Sequence, residues 1–217
     1  MVYAYPCMIT SLYASKNGVS CGTATEQVED IINYLNNNGA PFDQSNAPSG
    51  TAPSGFTRLT LTAKPHNFTV SALVINLEDQ TPNLYFDTDH ERNVAFLAEF
   101  VNAAKVNNIV VYFYTTLRDW YKIFPDSYDG VIAYSLPSLA AGTYSTVNPF
   151  RSIPLIMPRY DGVASTTNTF GAFEGWTSMA MKQLSGGSTL QRRMGGSRVC
   201  VDYLDPTEPI AKSYIYI

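Results

Sequence analysis

The chain has 217 residues, a formal net charge of −4, and 45% apolar against 15% charged residues. That length and apolar content suit one globular domain with a sizeable core and exclude a disordered chain. The lack of a basic run argues against nucleic acid as a partner, and no apolar run reaches membrane-spanning length.

Val2–Tyr5 reads as a short strand that Pro6 ends. Residues 1–20 lack the charged start and apolar stretch of a signal peptide, so the chain is intracellular or stands here without its leader. Cys7 and Cys21 bracket a polar loop that a disulfide would close, whereas Cys200 sits in an apolar run and reads as a buried thiol. This cysteine usage leans toward secretion. Thr23 and Glu26 have capping-box spacing, and Val28, Ile31, Ile32 and Leu35 then recur on one helical face, with Gly39 as the stop.

Residues 40–55 are rich in Pro, Ser, Gly and Ala and read as a loop. Thr57–Leu61 and Phe68–Leu73 form a candidate hairpin around Lys64–Asn67, and Asn67-Phe68-Thr69 fits the N-glycosylation pattern. Ala72–Glu78 is an apolar strand whose end carries Asn76 and Glu78 two positions apart. Residues so spaced share a face, and the ends of buried strands are where barrel enzymes keep their chemistry. The bland alternative is that Glu78 opens a solvated loop.

The spacing predicts a second helix from about Asp89 to Val106, with Val94, Leu97, Val101 and Ala104 as its buried stripe. Ile109–Tyr114 is a continuous apolar run, as in a parallel strand buried on both faces. Asp119–Phe124 reads as a short helix, and Val131–Tyr134 as a short apolar piece. Ile153–Tyr160, Trp176–Gln183 and Arg198–Tyr203 are the later strand candidates. The alternation of strand and helix in the first half implies an α/β fold with a mainly parallel sheet.

No Gly-rich phosphate loop, metal-spaced His/Cys cluster or nucleophile elbow appears, and His66 and His90 have no ligand spacing. Neither a metal nor a cofactor is therefore expected. What remains is carboxylates near strand ends, namely Glu78, Asp87, Asp89, Asp161 and Asp202, among rings such as Tyr112, Tyr114, Trp120, Tyr160 and Trp176. Carboxylates with aromatic platforms equip a carbohydrate site, where an acid protonates the leaving oxygen. Core packing is the competing reading for most of the rings.

In chain order, four sets of segments resemble the family 25 glycoside hydrolases, and within them the nematode-type lysozymes. Val2–Cys7 with the Gln27–Leu35 helix resembles the family's third strand and helix. Leu73–Glu78 resembles the fourth strand with its Asp-x-Glu, and Val110–Thr115 with Trp120 resembles the fifth strand's Gly-x-Tyr-Thr/Ser and downstream Trp. Gly175-Trp176-Thr177, Lys182–Ser185 and Val201–Tyr203 resemble the closing Trp, Lys/Trp-Gln-Tyr and Val-Asp-Leu-Asn pattern.

The resemblance implies a single domain over 1–217, a TIM-barrel-like fold of the irregular β/α type, with an insertion at about 40–70. It also implies that two opening strand–helix units are missing, together with the family's Gly-x-Asp-x-Ser strand. Open sheet edges of that kind invite pairing with a second copy of the chain.

The implied activity is that of an N-acetylmuramidase acting on peptidoglycan, in a secreted, lysosomal or phagosomal setting. Glu78 matches the general acid, Asn76 the Asp that assists the substrate's N-acetyl group, and Asp202 the last-strand Asp of the cleft. Tyr114 matches a cleft tyrosine, and Tyr160, Trp176 and Asp87 are the further substrate-binding candidates. Another register would make Asp87-Thr88-Asp89 the acidic pair, although Asp89 also suits a helix cap. Asn76 departs from the family because a neutral amide replaces a carboxylate. A catalytically impaired relative that binds glycan or serves assembly is the alternative.

Overall fold

The computed structural model describes residues 1–8, 12–18, 20–40, 42, 70–78, 85–124, 134, 145–161, 163, 165–167, 170–185 and 201–204. In chain order the elements are β1 (Val2–Ala4), α1 (Leu12–Asn17), α2 (Ala24–Asn37), β2 (Leu73–Asn76), α3 (His90–Val106) and β3 (Val111–Tyr114). They continue as α4 (Leu117–Ile123), β4 (Leu155–Pro158), β5 (Met181–Ser185) and β6 (Val201–Leu204).

The strands form one sheet in sequential order. β1 to β5 pair in parallel and β6 joins β5 antiparallel. The fold is thus mixed α/β with a mainly parallel sheet. Sequential parallel order is how a β/α barrel is built, but among the described residues β6 does not pair with β1.

Both faces of the sheet are covered, which is why its strands read as unbroken apolar runs. Leu73, Ile75 and Leu77 point to one side, where they join Val28 and Ile32 of α2 and Val94, Leu97 and Val101 of α3. Val74, Tyr112, Tyr114, Ile156 and Met181 face the other side in a smaller cluster. The stripe expected on the second helix is buried throughout.

The starts of α2, α3 and α4 have a chemical cause. Thr23 and Glu26 close a capping box on α2, and Asn38 and then Gly39, at φ 73°, end it. Asp89 caps α3 by accepting from the Glu91 and Arg92 N–H groups. Thr116 caps α4 by accepting from the Asp119 N–H. The α2–α3 contact is pinned where the Thr25 hydroxyl donates to Glu99 Oε1 at 2.8 Å.

The core beneath α4 is aromatic. The Trp120 ring lies 4.6 Å from Phe124 and 4.9 Å from Trp176, centroid to centroid. The Trp120 indole donates to the Tyr134 hydroxyl, which donates to Glu174 Oε2 at 2.8 Å. The Trp176 indole donates to the Ile153 carbonyl. Both indoles thus bury their rings while satisfying their N–H groups.

Several boundaries differ from those expected. α1 forms inside the loop read as merely polar. The strand expected over Trp176–Gln183 starts only at Met181, because Phe173 and Trp176 pair across a tight turn with Glu174 at φ 48° and Gly175 at φ 84°. The strand expected over Ile153–Tyr160 narrows to Leu155–Pro158, since Pro154 brings no N–H to the ladder. Val70 bridges Phe42 in parallel. Thr57–Leu61 and Lys64–Thr69 of the candidate hairpin, with His66 and Asn67, lie outside the described residues, as does Cys200.

Cys7 and Cys21 are joined by a disulfide that encloses α1. The Gln27 amide on α2 donates to the Cys7 carbonyl at 2.6 Å and the Cys21 carbonyl at 2.7 Å. Closing a loop of this size restricts the unfolded chain by about 3 kcal/mol. Replacing both cysteines with serine is expected to lower the urea unfolding free energy by about that amount; an unchanged midpoint would contradict it.

Candidate active site

The polar end of the sheet is built from the C-terminal ends of its parallel strands. Asn76 closes β2 and pairs in register with Tyr114 of β3. Glu78 follows two residues later, and the Leu77 N–H is held on the Tyr114 carbonyl at 2.8 Å. Because strand side chains alternate, Asn76 shares the inner face with Val74, Tyr112 and Tyr114. Glu78 continues that face past the strand end.

Asn76 is almost fully buried. Its Oδ1 accepts the Glu78 backbone N–H at 2.8 Å. A backbone N–H can only donate, so this bond fixes which end of the amide is the oxygen and turns the NH₂ group toward the Glu78 side chain.

Glu78 is half-buried, and burial pushes its carboxyl above the usual glutamate range. The Asn76 amide pulls it back, the Asp119 carboxylate raises it further, and the Tyr114 hydroxyl and the Lys122 ammonium favour the charged form. Asp119 is itself occupied: it accepts from the Thr116 hydroxyl at 2.6 Å and pairs with Lys122 at 3.0 Å.

Two phenols converge on one amide oxygen. Gln183 Oε1 accepts from the Tyr114 hydroxyl at 2.5 Å and from the Tyr160 hydroxyl at 2.9 Å. Burial, reinforced by the neighbouring Tyr160 hydroxyl, pushes the Tyr114 phenol above its usual range. Tyr114 also meets Tyr3 edge to face at 5.6 Å. Tyr160 is 58% exposed.

β5 anchors this corner from both faces. Gln183 points to the inner side. Lys182, fully buried, points to the other and donates to Asp161 Oδ1 at 2.6 Å and to the Val163 carbonyl at 2.9 Å. Asp161 also meets Arg159 at 3.3 Å. The segment carrying Tyr160 is therefore fixed by the pairing of Asp161 with the buried Lys182 on one side and an amide on the other.

The remaining candidates fall as follows. Asp87 sits in the turn before α3, accepting from the Thr88 hydroxyl and the Asp89 N–H and pairing with Arg92. Buried Asn93 bonds both the N–H and the carbonyl of Asp87. Asp87 and Asp89 thus start a helix rather than form an acidic pair. Trp176, expected as a glycan platform, is a core ring with 4% exposure; the tight turn at Glu174–Gly175 folds it inward. His90 is tied through Nδ1 to the Ile123 carbonyl. Asp202 stands opposite Gln183 in the register of β6, and its side chain lies outside the described residues.

Asp161 was among the carboxylates that the sequence offered and Lys182 and Gln183 stood in a family-like segment, but Gln183, Lys182, Asp119 and Lys122 were not singled out as site residues. The available signal was Gln183 itself: a polar residue at strand spacing from Met181 must find a buried partner.

Residues 44–136 match the family model described as Lysozyme-like protein 1. That window contains Asn76, Glu78, Tyr114, Asp119 and Lys122. No curated protein matches the chain. Among solved structures the chain is similar to the spore cortex lytic enzyme SleM of Clostridium perfringens, at 15% identity and a TM-score of 0.40. The alignment covers 84% of this chain and 44% of that one, so the chain spans under half the length of that enzyme.

Two stability measurements test this geometry. Asp161→Asn leaves the buried Lys182 ammonium facing a neutral amide and is expected to cost about 3 kcal/mol, more than Lys182→Met, which removes the charge itself. Equal losses in urea unfolding would contradict the pairing. For Glu78, the folded carboxyl holds its proton to higher pH than the unfolded one. Below the unfolded value both states are protonated and the group costs nothing. As pH rises toward the folded value the unfolded state ionises first, and the fold loses stability. Glu78→Gln is therefore expected to raise the melting temperature relative to wild type at neutral pH and leave it unchanged near about pH 3, below the ordinary glutamate range. The same difference at both pH values would contradict a raised acid.

Proposed function

We propose that this protein is a lysozyme-like glycoside hydrolase, an N-acetylmuramidase that cleaves peptidoglycan with Glu78 as the general acid. The observation that carries the reading is the state of Glu78. It is a half-buried carboxyl held above the ordinary glutamate range, at the sheet end where amide and phenol groups gather. The lysozyme-like match across residues 44–136 supports the same class.

In this reading the described sheet is part of an irregular β/α barrel with the site at its C-terminal end. Glu78 protonates the glycosidic oxygen as the bond breaks. The Asn76 amide bonds the substrate's N-acetyl group, the exposed Tyr160 ring stacks on a sugar face, and Tyr114 and Asp202 line the cleft. The Cys7–Cys21 disulfide supports an oxidising destination, whether secreted, lysosomal or phagosomal. A homo-oligomer formed along the β1 edge is compatible with this activity.

Asn76 favours a second reading, a catalytically impaired protein that binds glycan. Its oxygen is already engaged by the Glu78 N–H. An amide cannot offset the positive charge that develops when the N-acetyl oxygen attacks the anomeric carbon, whereas a carboxylate would.

Turbidity loss of a peptidoglycan suspension separates the two. The enzyme reading expects clearing by wild type, at least about 100-fold slower clearing by Glu78→Gln, and clearing faster by about tenfold or more with Asn76→Asp. No clearing by any of the three, with wild type still sedimenting with the glycan, would replace the enzyme by the binding protein.

A further inference from the structure

The Gln183 carboxamide is used by the protein at one end only. Its Oε1 accepts from the Tyr114 hydroxyl at 2.5 Å and from the Tyr160 hydroxyl at 2.9 Å. A carbonyl oxygen has two lone pairs, so two phenols fill it, and an NH₂ group could accept from neither. The two phenol protons therefore fix which end of the amide is the oxygen. Among the described residues nothing accepts from the NH₂ group, and it is not one of the fully enclosed polar atoms. Gln183 is only 6% exposed, and part of that small opening belongs to this donor. Buried polar groups normally find a partner in the protein or in ordered water. A donor held at an opening with none from the protein is ready for a ligand.

Strand register places the donor. Asn76, Tyr114, Ile156 and Met181 pair across β2 to β5 and form one layer of the inner face. Two residues further on, toward the C-terminal ends of the strands, the next layer holds Glu78 after β2 and Gln183 in β5. Three strand spacings separate these two, up to about 14 Å along the sheet. One ligand atom cannot join them at that span, but neighbouring units of a chain can.

We propose that Gln183 is a ligand-binding residue of this sheet end: its NH₂ group donates to an uncharged oxygen of a sugar unit next to the unit that Glu78 contacts. The Asn76 amide is turned toward the acid, so Gln183 supplies the amide donor that is not committed to it. The donor is also set before any ligand arrives. Its amide is oriented by two phenols, the Gln183 carbonyl accepts the Arg159 N–H at 3.0 Å, and the adjacent Lys182 is locked to Asp161. Little side-chain freedom is then lost on binding. The largely exposed Tyr160, bonded to the same amide, adds a ring beside the donor. The inference rests on the glycan reading of the site and not on cleavage.

The test is a nitrogen-15 NMR titration of the Gln183 side-chain NH₂ in the intact protein, carrying Glu78→Gln to prevent turnover and assigned with Gln183→Glu. The probe is the tetrasaccharide of alternating N-acetylglucosamine and N-acetylmuramic acid. The NH₂ signals are expected to move as the probe saturates the protein. Its dissociation constant is expected to rise about fivefold to tenfold when Gln183→Glu or Gln183→Met is added. Gln183→Glu keeps an acceptor for both phenols, and Gln183→Met removes the donor without adding charge. Undiminished affinity in a folded Gln183 variant, or NH₂ signals that stay in place at saturation, would overturn the inference while leaving the glycan reading intact. The titration of the NH₂ signals decides the matter even where neither variant folds. A tetrasaccharide that does not bind at all would overturn the inference together with the glycan reading. Binding through Gln183 in a protein that fails to clear peptidoglycan would uphold the inference and defeat the enzyme reading alone.

Discussion

The register of β2 against β3 is the constraint on which the site depends. Pairing Asn76 with Tyr114 places an amide and a phenol side by side on the inner face. Strand alternation then gives Leu73, Ile75 and Leu77 to the helix-side core and carries Glu78 onward with Asn76. A slip of one residue would turn the amide and the acid into that core and move Leu73, Ile75 and Leu77 to the opposite, also buried, face. The cost of burying polar groups among the helix-side apolar residues enforces the placement of Asn76 and Glu78.

Burial then changes what those groups are. Glu78 in open solvent would be an ordinary carboxylate. Half withdrawn and beside Asp119, it keeps its own proton to higher pH. The same enclosure raises the cost of any polar atom left without a partner. The network is accordingly dense: Gln183 serves two phenols, Asn76 secures the backbone of Glu78, and Lys182 is matched by Asp161 and the Val163 carbonyl. The stability given up at Glu78 is offset by the packing beneath it, where Trp120, Phe113, Phe124 and Trp176 interlock.

Much of this was legible from residue order. The capping box at Thr23, the buried stripe of α3 and the apolar runs of β2 and β3 follow from local periodicity, and the structure forms all of them. The placement of Asn76 and Glu78 on one face followed from strand spacing alone. Features that depend on tertiary contact were not legible. Trp176 looks the same in sequence whether it stacks on a ligand or fills the core, and only the turn at Glu174–Gly175 decides that it turns inward. Asp87 offers a carboxylate in either case, and its partners Asn93 and Arg92 commit it to a helix start. Gln183 lies far along the chain from Tyr114, and nothing local to either residue reveals that they bond.

Whether Glu78 acts as the proposed glycosidase acid is read by mass spectrometry of the soluble fragments released when purified protein is incubated with peptidoglycan, with the new reducing ends identified. Fragments ending in reducing N-acetylmuramic acid, present with wild type and absent with Glu78→Gln, are the expected result. Intact glycan, or fragments that persist undiminished with Glu78→Gln, would contradict the account.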